Sequence, residues 1–219
     1  MAPAILPSTF LHRVENALGN LFSNYRGRDS GLLTAQSVFT SASSPSKNLV
    51  VRSPDCPDDQ LKVEHSADGT GLFPTLNWTW DIKAGDEASK EVGEWIVVNE
   101  DPDAPLPSPI VHGIYYGIPA AKTSLTAKDF ELVEGTKLSG GFQYGANRRN
   151  NIYIPPRPII GHGPHRYVFE VIGVKQGLGK ELEGLGKGAV TKEEVLKRLE
   201  GKVVAWGVWM GSYERKLGS

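Results

Sequence analysis

Residues 163–174 read GPHRYVFEVIGV, and this run decides the fold. Gly163-Pro164 interrupts whatever precedes it, and Tyr167, Val168, Phe169, Val171, Ile172 and Val174 then favour an extended, pleated chain. Successive side chains in a strand alternate, so His165, Tyr167, Phe169 and Val171 share one side while Arg166, Val168, Glu170 and Ile172 share the other. His165 and Tyr167 are thus set to line one cavity, leaving Arg166 to make an ion pair elsewhere. The preceding loop, YIPPRPIIGHG, is stiffened by Pro155, Pro156 and Pro158, and loops anchored in this way commonly carry binding groups. His162 and His165 are three apart, but the Gly-Pro between them denies the helical geometry that aims two imidazoles at one metal.

The same punctuation recurs outward from this run. The 25 Gly and 15 Pro fall between short apolar stretches, which predicts a mostly β protein with strands at 47–53, 61–64, 76–80, 95–99, 110–118, 166–174 and 203–209. Two segments read as helices. In residues 8–22, Phe10, Leu11, Val14, Ala17, Leu18, Leu21 and Phe22 recur at three- and four-residue spacing, so the apolar stripe is expected to pack on the domain. In residues 191–200, Thr191 and Glu194 form a capping box and Gly201 stops the helix. Residues 25–48 include SASSPSKN and read as a flexible connection, dividing the chain into a helix and connection (1–48) and a β domain (49–219). GLGKELEGLGKG, residues 177–188, lacks the Ser or Thr that follows Gly-Lys in a phosphate loop, and reads as a linker.

Composition narrows the function. With 24 Lys plus Arg against 25 Asp plus Glu, the net charge of −1 gives no cationic surplus for a nucleic-acid backbone, and nucleic acid is excluded as a partner. Hydrophobic residues make up 39% and no apolar run is long enough to span a membrane. Cys56 is the only cysteine, which excludes an internal disulfide and a multi-thiolate zinc site. The opening MAPAILPSTF lacks a signal-peptide pattern, so a cytoplasmic location is expected.

A second dense segment is NEDPDAPLPSPIVHGIYYGIP, residues 99–119. Asp101 and Asp103 are two apart, which in an extended chain puts both carboxylates on one side. His112 falls in a period-two set with Ile110, Ile114, Tyr116 and Ile118, where an imidazole needs a partner: a backbone carbonyl, a nearby Asp, or a ligand.

DPDAP at 101–105, His112 shortly before GIP at 117–119, and GPHRYVF at 163–169 closely resemble the motifs of the phosphatidylethanolamine-binding protein (PEBP) family. LFPTLNW at 72–78 and GKVVAWGVWMGSYER at 201–215 extend the likeness, and the short step from Asp101 to His112 resembles the bacterial branch. The resemblance implies a large antiparallel sheet packed on a smaller one, with helices towards both ends. It also implies a pocket for a small anion formed by Asp101, Asp103, His112, Pro156, His165 and Tyr167, with no cofactor and no metal. Arg157 and His162 depart from the family's loop and are expected at the rim. Ile110 and Gly113 stand where many members have aromatics, which is expected to open it.

Two functions remain open on these residues. As a binding module, the pocket captures a carboxylate or phosphate, and the family includes phospholipid-headgroup binders that regulate other proteins such as kinases or proteases. As an enzyme, Asp101, His112 and His165 serve acid–base chemistry of a lyase or cyclase type. Fungal relatives accompany polyketide pathways to anhydride- or carboxylate-bearing metabolites, and the N-terminal extension resembles theirs. A metal hydrolase built on two Asp and two His is a third and weaker option.

Overall fold

A computed structural model describes residues 8–42, 44–81, 86–186, 188 and 190–218, so the first seven residues of the opening stretch lie outside the described residues. Helix α1 (Ser8–Phe22) is followed by 3-10 turns, the one-turn helix α2 (Ser37–Thr40), strands β1 (Leu49–Arg52) and β2 (Leu76–Trp80), and α3 (Asp86–Glu91). The long strands β3 (Glu94–Asp101) and β4 (Ile110–Pro119) come next, then short β5 (Ser124–Leu125), β6 (Leu132–Glu134), β7 (Lys137–Leu138) and β8 (Gln143–Tyr144). The chain closes with β9 (His165–Val174), α4 (Leu178–Glu183), α5 (Lys192–Leu199) and β10 (Val203–Tyr213).

Seven strands form an antiparallel sheet in the order β10-β9-β3-β4-β8-β7-β6, and three form a smaller one, β1-β2-β5. Trp78, Trp95, Tyr115, Phe169 and Trp209 fill the space between the sheets. The opposite face of the large sheet buries Ile96, Val98, Ile114, Tyr116 and Ile172 beneath Leu178 and Leu182 of α4, Val195 and Leu199 of α5, and Leu33 and Phe39. Covered on both faces, β9 leaves only Arg166 partly open. Among the described residues no helix is long and apolar enough to cross a membrane.

Four expectations change. Residues 61–64 form no strand: Leu61 N–H donates one bond to Ser212 O, and the chain then curls into a 3-10 turn at Val63–His65, held by Ser66 Oγ on Val63 O. Residues 177–188 are no simple linker, because Leu178 and Leu182, four apart, bury one face of α4. Gly179 permits this close docking, since a Cβ there would stand 2.9 Å from Gly117 Cα.

Residues 27–36 are a strap fastened across the sheet, where a flexible connection was expected. Arg28 N–H bonds Pro102 O at 2.8 Å, Leu33 N–H bonds Glu100 Oε2 at 2.8 Å, and Thr34 donates from N and Oγ1 to Glu170 Oε1 at 2.7 and 2.6 Å. Lys192 Nζ reaches both Glu100 Oε1 and Gly31 O. Burial first, and then the charge of Glu100, push Glu170 well above the usual carboxylate range, which favours its protonated form.

Helix α1 docks through the face opposite to the expected one. Gly19 lies against the 160–162 loop so closely that a Cβ would stand 2.1 Å from Ile160 O, and Glu15 Oε1 accepts from Ile160 N–H and from Arg215. Phe10, Leu11, Val14, Leu18 and Leu21 stay exposed, Leu21 by 69%. A backbone contact at a glycine and an ion pair orient this helix, and hydrophobic burial does not.

Candidate functional site

Three neighbouring strands bring their ends together at one end of the large sheet: β3 finishes at Asp101, β4 starts just before His112, and β9 starts at His165. A bulge then aims His112. Asn99 pairs with Gly113 and Glu100 with Val111, which leaves His112 as the extra residue on β4. Bulges of this kind re-aim a side chain. Here the imidazole leaves the set of Ile114 and Tyr116 and meets the Tyr167 ring edge-on, with centroids 5.1 Å apart. A second irregularity, with Trp95 opposite Ile118 and Val97 opposite Tyr115, returns Ile118 to the inter-sheet core. The simple period-two set therefore does not survive.

Asp101 anchors the cluster. Its Oδ1 accepts from the N–H groups of Asp103 (2.8 Å) and Ala104 (3.1 Å), and its Oδ2 accepts from His165 Nδ1 at 2.8 Å. The carboxylate on Nδ1 fixes a proton there, and His165 Nε2 in turn faces His162 Nδ1 at 2.8 Å, so both ring nitrogens of His165 are engaged. His162, His165 and Asp101 thus form a continuous hydrogen-bonded chain. His162 Nε2 ends the chain buried and unpartnered, with the Phe22 backbone of α1 nearby but outside hydrogen-bond geometry. Burial first, then His165, hold His162 below the usual imidazole range.

His112 is separate. Its Nδ1–H donates to Ile154 O at 2.5 Å, and its Nε2 is buried with no partner. Burial pulls its pKa down, against the opposing charge of Asp101, so the neutral ring presents Nε2 as a lone pair. Burial likewise raises Tyr167 well above the phenol range, and the Arg157 backbone N–H faces its hydroxyl.

These groups border a cavity of about 360 Å³, walled by Ala104, Leu106, Ile110, Ile154, Pro155, Pro158 and Ile159, with Arg148, Arg149 and Arg157 at its mouth. Asp101, His112, His165 and Tyr167 all meet there. Asp103 does not. It turns away to Arg166, which binds it through Nε (2.8 Å) and Nη2 (2.7 Å), and through backbone N–H (2.9 Å), while Nη1 and Nη2 of Arg166 grip Asp29. Burial alone would raise Asp103, but Arg166, with help from Arg26, brings it below the usual carboxylate range. Pro156 is buried behind the wall with its carbonyl taken by Ala67 N–H, and Pro155 and Pro158 line the cavity instead. His162 sits behind His165, 1% exposed and away from the rim. Gly113 does not open the mouth, because its free side is filled by the Tyr115 hydroxyl, 2.3 Å from where a Cβ would stand.

Sequence reasoning missed Arg148 and Arg149. A signal existed: no Asp or Glu occurs between Glu134 and Glu170, so arginines in that stretch have no local acid to pair with. A larger groove of about 860 Å³ beside α5, lined by Gln36, Val38, Pro45, Leu196 and Glu200 among others, gathers no buried titratable group. No group of three or more His, Cys, Asp or Glu is gathered for a metal among the described residues.

Comparison with known proteins identifies the family. The chain is 41% identical over 213 residues to phomoidride biosynthesis cluster protein B of a fungal species (strain ATCC 74256), covering 94% of this chain and 97% of the relative. It is 38% identical to the protein of the same name from Talaromyces stipitatus, covering 94% and 83%. A UPF0098 protein of Aquifex aeolicus is 30% identical over 158 residues, covering 72% and 82%. Among solved structures, Escherichia coli YbcL matches with a TM-score of 0.58 at 24% identity, covering 77% of this chain and 99% of that one. A PEBP homologue from Chlamydia trachomatis matches at 0.57 and 22%, covering 78% and 99%. A family model described as phosphatidylethanolamine-binding protein matches residues 53–214, and with these relatives it makes the chain a member of that family.

Proposed function

We propose that the cavity binds a small carboxylate- or phosphate-bearing ligand, and that the protein is a cytoplasmic accessory or catalytic component of a fungal secondary-metabolite pathway to polyketide acids or anhydrides. The observation that supports this most is the match to phomoidride cluster protein B across 94% of the chain, which runs well into the residues before the family region at 53. The bacterial and archaeal relatives cover only 71–73%.

In this reading the neutral His112 Nε2 accepts a proton from the ligand, taken from a hydroxyl or from carbon next to a carboxyl group. The exposed guanidiniums stabilise the oxygen charge that develops. Asp101 and His165 hold the wall rigid through a filled hydrogen-bond chain and need not touch the ligand.

The test is product formation from candidate polyketide acids with wild-type protein, with His112→Ala and without protein. Faster consumption with the wild type, lost in His112→Ala, supports catalysis. Equal product in all three, together with tight binding of phosphoethanolamine, overturns the pathway reading in favour of a headgroup-binding regulator.

A further inference from the structure

The charges around the cavity are distributed unevenly by depth. The floor presents no cation, since His112 offers a lone pair and both nitrogens of His165 are engaged, and the neutral Tyr167 hydroxyl is its one remaining side-chain donor. Asp101 is the only acid in the lining, and its oxygens are taken by His165 and two backbone N–H groups. An anion placed at the floor would meet one neutral donor, the Tyr167 hydroxyl, beside the His112 lone pair and the Asp101 carboxylate. Cationic recognition is therefore confined to the mouth.

The mouth is built for it. Asn147 is 7% exposed and donates Nδ2 to His112 O (3.1 Å) and to Asn151 O (2.8 Å), while its Oδ1 accepts from Arg149 and Asn151 N–H. This one side chain ties the loop bearing Arg148 and Arg149 to the strand that carries His112. Across the mouth, the loop bearing Arg157 is pinned by Ile154 N–H on His112 O (2.9 Å), Ala67 N–H on Pro156 O (2.9 Å) and Arg215 on Pro158 O (3.2 Å). None of the three guanidiniums has an acidic partner among the described residues, although Arg26, Arg166, Arg198 and Arg215 all do. One carboxylate occupies one guanidinium fork. Three unpaired forks on two rigid loops call for more than one anionic group.

We infer that the ligand is an aliphatic dicarboxylate, with one carboxylate taken by Arg148 and Arg149, the other by Arg157, and the alkyl arm laid against Leu106, Ile110 and Ile159. This deepens the anion-binding reading and rests on it. It names Arg148 and Arg149 as specificity-determining residues, and it sends the uncharged part of the ligand to the floor. There a C–H or O–H next to a carboxyl group meets His112 Nε2. A cavity of about 360 Å³ sits at the small end of the roughly 300–1,000 Å³ usual for small-molecule sites, which suits a compact diacid with a short chain.

Calorimetric titration of the full chain with hexylsuccinate, octanoate and hexyl phosphate tests it, using wild type, Arg148→Gln/Arg149→Gln and Arg157→Gln. All three positions are exposed, so the variants are expected to fold, and matching unfolding temperatures check that. Hexylsuccinate is expected to bind at least about tenfold more tightly than octanoate, with removal of either side of the mouth costing about tenfold for the diacid and little for octanoate. Anion binding with equal affinities for diacid and monoacid, or affinities unmoved in both variants, overturns the dicarboxylate inference and leaves the anion-binding reading standing. Hexyl phosphate binding tenfold above hexylsuccinate overturns it in favour of a phosphate monoester. Silence of all three ligands, with no change in the His112 ring signals, overturns both readings together.

Discussion

Replacing Asp101 by Asn removes a charge while keeping the shape, and the consequences are legible in its three hydrogen bonds. The amide oxygen must stay with the N–H groups of Asp103 and Ala104, because those donors cannot turn. The amide NH2 then faces His165 Nδ1, which now carries a proton, and donor meets donor. His165 is expected to move its proton to Nε2, which in turn obliges His162 to present Nδ1 as a lone pair and to hold its proton on Nε2. Hydrogen bonds to charged groups contribute about 1.5–3 kcal/mol each and neutral ones about 0.5–1.5, so the three bonds together lose about 3 kcal/mol. At about 2–4 °C per kcal/mol for a chain of this length, the unfolding temperature is expected to fall by about 6–12 °C. Calorimetry reads the temperature, and 15N-detected imidazole spectra read the tautomers of both rings. An unfolding temperature within about 2 °C of wild type, or His165 still protonated on Nδ1, would falsify the relay described here.

Other substitutions and conditions probe the remaining features. His112 and His162 are held below the ordinary imidazole value of about 6.5, so between their folded values and that point the unfolded chain binds more protons. Stability is expected to fall as pH drops through that window, and urea midpoints between pH 7.5 and 5 check this. Glu170 works in the opposite sense, since its folded value is raised and its ionisation in the unfolded chain above about 4.3 favours unfolding. Glu170→Gln keeps the Thr34 bonds and is expected to gain stability relative to wild type as pH rises from 4.5 to 8; a relative loss contradicts the raised value of Glu170. Gly19→Val places a side chain where Ile160 O already stands, and is expected to release α1 while the sheets remain. Hydrogen exchange speeding up only in residues 8–26 is the expected signature, whereas global destabilisation of several kcal/mol refutes local docking. Ligand affinity is expected to stay flat from pH 6.5 to 8, because His112 is already neutral there.

How much was legible differs by element. β9, β3, β4 and α5 declare themselves through β-branched runs or a capped, periodic stretch, and their observed ends fall within a few residues of the predicted ones. α4 was hidden because glycine density outweighs a pair of leucines until tertiary packing is known. The periodicity of α1 predicts the helix but not its docked face, which a single glycine and Glu15 determine. Within the site, alternation correctly joins His165 to Tyr167, yet it cannot foresee a bulge, and it was the bulge at His112 that turned that ring inwards. Asp101 and Asp103 look equivalent in DPDAP. Their separation depends on Arg166 and Asp29, residues far off in the chain.

The strap carries a further consequence for the order in which the molecule is made. Thr34 finds its acceptor on Glu170, 136 residues downstream, and Glu15 meets Arg215 at a separation of 200. Contacts this distant form late, after loop closure by the intervening chain. During synthesis α1 and the strap leave the ribosome well before the strands that will hold them, with the apolar row of α1 bare and Glu100 and Glu170 not yet brought together. Only when β9 and β10 have been added does the strap find its clasps, so residues made well before those strands are seated after them, and crowded synthesis exposes them to misassociation in the interval.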